Sequence, residues 1–480
     1  MKDAGQPNVV FLLADQLRAC SLPLHGEAQI ATPNIDRLAG AGVVCDQALS
    51  TAPICTPYRA MLLTGRHPQS TGFVGNFIGM RHDEISVADA FKAAGYRTGW
   101  VGKWHLQVGA WPGAGMREGA EGAGYIPAGR PRLGFEFWRG YNFHETYFNG
   151  WVDKDDWRNE IWDGYETQAL NRYAMEFMDQ ADDRPFCLFV SPHQPHKTCV
   201  GAFAPEEYYR RLPSRLELPE NVPDACRDES LQAYRDYLAM VLAVDDMLGE
   251  LLDYLERSGK AENTLVVFTS DHGSQFGAQG IDPWHKAVPY EESVHVPLIC
   301  RLPGRLPGGS RYDGLLAPVD IFPTLCGICG VDVPRTVEGV SLAEGLAGRE
   351  DAQAQDAVLM MNCLDHFCFP GAVGNPTGQN IWRAVRTRQH TYIRRYNGDV
   401  ELYSLADDPL QLRNMAGQPG ARQVEADLAL CLDGLMERRN DRMGLGPDYQ
   451  SWFDGQRRVV RNAFGPLSHP DSPPDWSLLH

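Results

Sequence analysis

The sequence predicts an α/β fold: a large, mostly parallel sheet sandwiched by helices, followed by a smaller C-terminal α+β unit. The first observation is alternation. Short apolar, often β-branched runs at 9–13, 98–102, 186–190, 264–269 and 297–300 have the length of buried strands. Helical patterns at 32–40, 86–94, 165–180 and 230–258 lie between them, with Gly95 and Gly259 as stops. The second is a change of texture after about residue 355, where strands at 357–361, 382–386, 391–396 and 401–403 follow at short spacing. Asn397-Gly398 is a hairpin turn there, and a helix at 423–438 follows. This divides the chain into a catalytic unit, 1–355, and a C-terminal small-sheet unit with an irregular tail, 356–480. The third is the Gly-, Trp- and Tyr-rich stretch 109–163, which reads as a long surface excursion.

Composition bounds the function. The chain has 480 residues, with 44 basic against 62 acidic side chains and a formal net charge of −18. Hydrophobic and charged fractions of 43% and 22% are ordinary for globular proteins, so a substantial core is affordable and disorder is not expected. The charge argues against nucleic-acid partners and against a polybasic membrane anchor. No stretch approaches the ~20 apolar residues of a membrane span. The run 9–14 is cut by Asp15 and is too short for a signal-peptide core. Twelve scattered cysteines suit a reducing compartment, so the expected location is cytoplasmic. Cys326 and Cys329 stand alone in an apolar stretch and read as core residues. The sequence says nothing of oligomeric state.

In an open α/β sheet ligands bind beyond the carboxyl ends of the strands. Here those ends carry Asp15-Gln16, Lys103-Trp104-His105, His193 to His196, and Asp271-His272. Any one has a bland reading as a cap or a structural histidine, but together they point to one polar rim. Asp15, Gln16, Asp271 and His272 are mostly oxygen donors with one imidazole, a shell for a hard divalent cation: Ca²⁺, Mg²⁺ or, given the histidine, Mn²⁺. In the segment 53–66, Thr56 is expected as N-cap and Pro57 as the first helical residue. Cys55 then sits just before a helix N-terminus, where anions are favoured and a thiol pKa is lowered. Arg59, one turn in, offers a fork suited to a sulfuryl or phosphoryl group.

Cys55-Thr-Pro57-Tyr-Arg59, continued to Gly65, resembles the signature of the type I sulfatases of the alkaline phosphatase superfamily. The resemblance covers nearly the whole chain. It includes the words ending in Asp15, Thr32-Pro-Asn34-Ile-Asp36, Gly102-Lys103-Trp104-His105, Ser270-Asp271-His272-Gly273, Tyr290-Glu-Glu-Ser293 and Glu401-Leu-Tyr-Ser-Leu, in the family's order. It implies hydrolysis of a sulfate ester to an alcohol and inorganic sulfate. Cys55 would be oxidised by a separate maturation enzyme to formylglycine, whose hydrate attacks sulfur to give a covalent sulfo-enzyme. Arg59 would hold the formylglycine and the metal-side charge. Lys103 and Lys286 would bind sulfate oxygens, His105 would assist elimination, and His193 would be the general acid, shared with Lys286.

One divalent cation, with Ca²⁺ favoured over Mn²⁺ and Mg²⁺, would take Asp15, Gln16, Asp271, His272 and the modified Cys55. Asn76, His196 and Trp104 are substrate-pocket candidates. The departures are Gln16, where most sulfatases carry a second Asp, and His272, where many carry Asn. The substrate is expected to be a small-molecule or saccharide sulfate ester. A phosphonate monoester hydrolase or phosphodiesterase of the same superfamily is the alternative; the Gly102–His105 word speaks against it. A catalytically dead binding scaffold is disfavoured because every expected position is filled.

Overall fold

The computed structural model describes residues 5–108, 125–155, 159–180, 182–349, 355–365, 378 and 380–480. Its main strands are β1 (Asn8–Ala14), β2 (Val43–Ala48), β3 (Arg97–Lys103), β4 (Phe137–Tyr141), β5 (Trp151–Asp153), β6 (Asn159–Ile161), β7 (Phe186–Ser191), β8 (Thr264–Ser270), β9 (Leu298–Arg301) and β10 (Ser310–Leu316). They form one sheet in the order β10-β2-β9-β8-β1-β7-β3-β4-β5-β6. From β8 to β4 all neighbours are parallel. These strands therefore end on one edge, as parallel strands joined by helical crossovers must.

The apolar runs behave as continuous runs should in a sheet covered on both faces. In β1, Val9, Phe11 and Leu13 join one core, while Val10, Leu12 and Ala14 join another. The longer helices are α1 (Pro33–Ala41), α2 (Cys55–Thr64), α3 (Val87–Ala93), α4 (Glu166–Met178), α5 (Arg227–Arg257) and α6 (Pro318–Cys329). α2, α3 and α6 pack on the first face, and α1, α4 and α5 on the second. Among the described residues no helix is long and apolar enough to cross a membrane. Cys326 and Cys329 are free, buried core residues at the end of α6.

Beyond this sheet, β11 (Val358–Asn362), β12 (Trp382–Arg386), β13 (His390–Arg395) and β14 (Val400–Ser404) form a four-stranded antiparallel sheet. The turn at Gly398 has φ 92°, which Gly adopts without strain. α7 (Arg422–Arg438) buries Leu428, Leu432 and Leu435 in the same core as that sheet. The last residues wrap irregularly over the first part of the chain: His82 N–H donates to the Pro470 carbonyl and Arg335 N–H to that of Leu478.

Three expectations need correction. β9 runs antiparallel to both of its neighbours, β8 and β2, so the sheet is mixed on that side of β8. β2 and β10 were not anticipated; polar Asp46 and Gln47 interrupt the apolar pattern of β2. The stretch 109–163 is not all surface excursion, since it supplies β4, β5 and β6; residues 109–124 and 156–158 of it lie outside the described residues.

Candidate active site

The strand ends set the site's geometry, and two glycines set how closely they approach. Gly102, with φ 95°, lies so near β7 that a Cβ would stand 2.2 Å from the Ser191 carbonyl oxygen. At Gly273 a Cβ would stand 1.9 Å from the Glu292 carbonyl oxygen. The words Gly102–His105 and Asp271–Gly273 therefore carry glycine where backbone meets backbone.

α2 delivers Cys55 to this rim. The helix begins at Cys55 itself, with Ile54 as an extended N-cap that supplies no side-chain bond. Thr56 does not cap, contrary to expectation: its hydroxyl donates to the His105 carbonyl at 2.8 Å. The helix N-terminus is satisfied instead by Asn76, whose Oδ1 accepts Thr56 N–H at 3.0 Å. Asn76 also lines the cavity over Cys55.

The Cys55 thiol is buried and surrounded. His272 Nε2 lies 3.2 Å from Sγ, Lys103 Nζ and Lys286 Nζ each 3.6 Å, and Asp15 Oδ1 3.8 Å. Burial, reinforced by Asp15, pushes its pKa up despite the two lysines. The expected low-pKa thiolate is therefore not what the site makes; the helix N-terminus is outweighed by desolvation. Arg59 also departs from its expected role as an anion fork. Fully buried, it spends its donors on Asp15 Oδ2 (3.1 Å), Asp271 Oδ2 (3.3 Å), the Lys103 carbonyl (2.8 Å) and Ser191 Oγ (2.9 Å).

Asp15, Cys55, Asp271 and His272 each offer one donor atom, all within 4.8 Å of one another. His272 Nδ1 lies 3.0 Å from the Gly273 carbonyl, which fixes that nitrogen as the N–H and leaves a lone pair on Nε2. That lone pair faces Asp271 Oδ1 at 3.5 Å and Asp15 Oδ1 at 3.9 Å. Lone pairs converging in a buried pocket repel unless a cation sits among them, so the donor set fits a metal ion. Gln16 is oriented to add a fourth donor type. Its Nε2 donates to Ser274 Oγ (2.8 Å) and the Trp284 carbonyl (2.9 Å), leaving Oε1 3.4 Å from Lys286 Nζ. Burial and the adjacent Asp15 raise Asp271 to about 6. Burial opposes ionisation of Asp15 as well, but Lys103, in direct contact, and the buried Arg59 hold it well below the usual carboxylate range.

Two imidazoles complete the inner wall. His193 is held through Nδ1 to the His144 carbonyl at 2.7 Å, and its Nε2 has no partner among the described residues. Among the described residues neither ring nitrogen of His105 has a partner, and its ring packs 4.7 Å from that of Phe143. Burial and then Lys103 keep both histidines neutral, with pKa values well below the ordinary one. His196 Nε2 lies 2.8 Å from Lys286 Nζ, and both line the cavity. Trp104 is the site candidate the structure removes from the pocket. It is fully buried among Trp100 (4.8 Å), Trp138 (5.2 Å) and Phe135 (6.1 Å), on the core side of its strand. Period-two alternation after Lys103 carries that signal: neighbours in an extended segment point to opposite faces.

The sequence reading missed Phe143, Glu145 and Glu166. Glu166 opens α4 and ties the loop after β7 in place. It accepts from the Tyr141 hydroxyl, His193 N–H (3.3 Å) and Gln194 Nε2 (3.1 Å). Phe143 and Glu145 follow β4, and their signal was lost with that strand. Over all these groups stands a cavity of about 230 Å³ lined by Cys55, Phe77, Phe143, Glu145, Trp284 and Lys286, among others.

Comparison with known proteins places this arrangement. A family profile described as Sulfatase matches residues 7–331, and one described as N-sulphoglucosamine sulphohydrolase, C-terminal, matches residues 281–438. The chain is 33% identical over 445 residues to an ulvan-active sulfatase of Formosa agariphila, covering 91% of this chain and 82% of that one. It is 25% identical over 552 residues to an N-acetylglucosamine-6-O-sulfatase of Bacteroides thetaiotaomicron, covering 96% and 91%. A crystal structure of a Bacteroides fragilis sulfatase superimposes with a TM-score of 0.79 at 24% identity, covering 94% of this chain and 98% of that one; this shows the shared fold.

Proposed function

The chain belongs to the sulfatase family and is a sulfuric-ester hydrolase, and we propose that Cys55, oxidised to formylglycine by a separate maturation enzyme, is its nucleophile. The observation that carries this reading is the position of Cys55: it leads α2 with two ammonium groups 3.6 Å from Sγ and the carboxylate–imidazole cluster beside it. A thiol with a raised pKa is a poor nucleophile, whereas an aldehyde hydrate at the same position carries two hydroxyls.

With formylglycine in place, one hydroxyl of its hydrate would attack sulfur as the S–O bond to the alcohol breaks; the neighbouring Asp271 carboxylate takes the attacking hydroxyl's proton, and the leaving oxygen takes one from His193 or Lys286. His193 reaches that role through its unpartnered Nε2 once the substrate's charge favours imidazolium. His105, neutral and free at both nitrogens, removes the proton of the second hydroxyl. The aldehyde re-forms as sulfate departs with the shared oxygen, and water restores the hydrate. Lys103 and Lys286 hold the sulfuryl oxygens throughout. Arg59 keeps Asp15 and Asp271 apart in charge and fixed in place.

Asp15, Gln16, Asp271, His272 and the modified Cys55 would hold one divalent cation, which supplies a positive charge against the anionic substrate. The oxygen-rich shell favours Ca²⁺. Sulfated saccharides are the proposed substrate class, supported by the sugar named in one relative and by the aromatic cavity walls. The test is peptide mass analysis at Cys55 together with turnover of 4-nitrophenyl sulfate. The expected result is the formyl mass and a rate that scales with its fraction. An unmodified Cys55 in fully active enzyme, or faster turnover of an aryl phosphonate monoester, overturns the reading.

A further inference from the structure

Outside the sulfuryl cradle the cavity carries one buried charge that the mechanism does not use. Beyond Cys55 and Lys286 its lining includes the rings of Phe77, Phe143 and Trp284 beside the polar side chains of Gln16, Asn76 and His196. Phe143 joins the two regions, with Lys103 Nζ 5.0 Å from its ring centroid. Two residues on, Glu145 lines the same cavity and is only 8% exposed. Its position is fixed twice: its backbone carbonyl accepts the Thr198 hydroxyl at 2.6 Å, and its Oε2 accepts Cys199 N–H at 2.8 Å. A carboxylate has about four acceptor sites, so the Cys199 N–H and the Cys199 thiol, which also bonds this carboxylate, leave it with capacity toward the cavity. The other charged groups at this end, Lys197 and Asp282, are exposed at the mouth and screened by water.

An ionised carboxylate in such a place only accepts. It rewards a hydroxyl brought against it and penalises a second anion, and both effects grow as water is excluded. Aromatic walls beside it suit the apolar face of a pyranose ring. We propose that Glu145 is a specificity-determining residue: it accepts a hydroxyl of the sugar that bears the reacting sulfate and selects against a second anionic group on that sugar. This rests on the sulfatase reading above.

The test compares matured, metal-loaded wild type with Glu145→Gln on 4-nitrophenyl sulfate, a panel of pyranose monosulfates and their disulfated counterparts. Gln retains an acceptor for Cys199 N–H, so the fold is kept. On the best monosulfate, kcat/KM is expected to fall about tenfold, with the aryl sulfate changed by less than about twofold and the disulfates gaining relative to the monosulfate. Glu145→Asp withdraws the charge without removing it; it should lose monosulfate turnover while still discriminating against disulfates. Equal losses on aryl and sugar substrates, or no loss on the sugar, overturn the proposal. Wild-type turnover of the aryl sulfate with none of any pyranose monosulfate overturns it too and leaves the sulfatase reading standing. Absence of turnover on every sulfate ester brings both down.

Discussion

At the residue scale, the demands on Cys55, Lys103 and Asp271 differ and are separable. Cys55 is proposed to form the only covalent bond to substrate, and truncating so small a buried side chain removes little core. Cys55→Ala should therefore fold with wild-type thermal stability to within a few degrees and show no turnover; wild-type-like turnover would end the mechanism. Lys103 lies 3.6 Å from Sγ and is paired with Asp15, so Lys103→Ala removes charge where the sulfuryl oxygens are proposed to bind. A loss of about a hundredfold in kcat, roughly 3 kcal/mol, is expected for one such stabilising group; an unaffected rate would take Lys103 out of the site. Asp271→Ala removes one of two anionic donors and should abolish bound metal in elemental analysis, whereas full stoichiometry would refute the assigned shell. Most of these residues were legible because each sits at a strand end in a chemically unusual word. Arg59 was legible through the resemblance as a holder of the metal-side charge, but not as a residue closed to anions, since no spacing rule says that the two carboxylates following β1 and β8 will claim its fork. Trp104 was misplaced because the reading followed adjacency in sequence, while the backbone alternates.

At the element scale, α2 depends on a partner far along the chain. Asn76 caps it from a loop 20 residues later, so Asn76→Ala should cost about 1 kcal/mol of stability in urea unfolding. It should also lower kcat, because the same bond sets the start of the helix that carries Cys55. A stability loss below about 0.3 kcal/mol would show the cap to be idle. Thr56 looked like the cap because local rules favour it, and a tertiary bond to His105 took its hydroxyl instead. The glycines make a sharper comparison. Gly95 and Gly102 both have φ near 90°, but a Cβ on Gly95 meets nothing within 4 Å, while one on Gly102 meets the Ser191 backbone at 2.2 Å. Gly95→Ala should cost about 1 kcal/mol and leave activity intact. Gly102→Ala should cost several times as much and displace β3 from β7. Equal penalties would mean the strands part more easily than this packing allows. The parallel core of the sheet was readable from apolar runs of strand length. β4 to β6 were not, because a Gly- and Trp-rich segment has the composition of a loop and becomes strand only when β3 offers its free edge.

At the scale of the whole molecule, acidity tests how the charged groups are built into the fold. Among the described residues, raised carboxylates such as Glu166 (about 7, by burial) and Asp320 (about 6, by burial) oppose lowered ones such as Asp15 and Asp441. A carboxylate with a raised folded pKa loses its stabilisation as pH rises through that value; one with a depressed pKa loses it as pH falls. These two sets act in opposite directions. The histidines do not divide in this way. His25, His67 and His144 are each pushed down to about 3, all by burial first, and His105, His193, His196 and His272 also lie well below the ordinary value. A base with a depressed folded pKa is neutral when folded but takes a proton when unfolded at any pH below about 6.5. Its stability contribution is present above that pH and drains away as pH falls toward 3. Because these shifts share one sign, they decide the balance, and unfolding near pH 5.5 should take up several protons. Thermal midpoints measured in chelator, so that metal loss adds nothing, should fall steadily from pH 7 to pH 5. His67→Asn, remote from Cys55 and its ligands, should make the accompanying fall in unfolding free energy shallower by up to about 1.4 kcal/mol per pH unit, the slope of one proton. A protein more stable at pH 5 than at pH 7 would mean that the raised carboxylates, not the buried imidazoles, govern its response to acid.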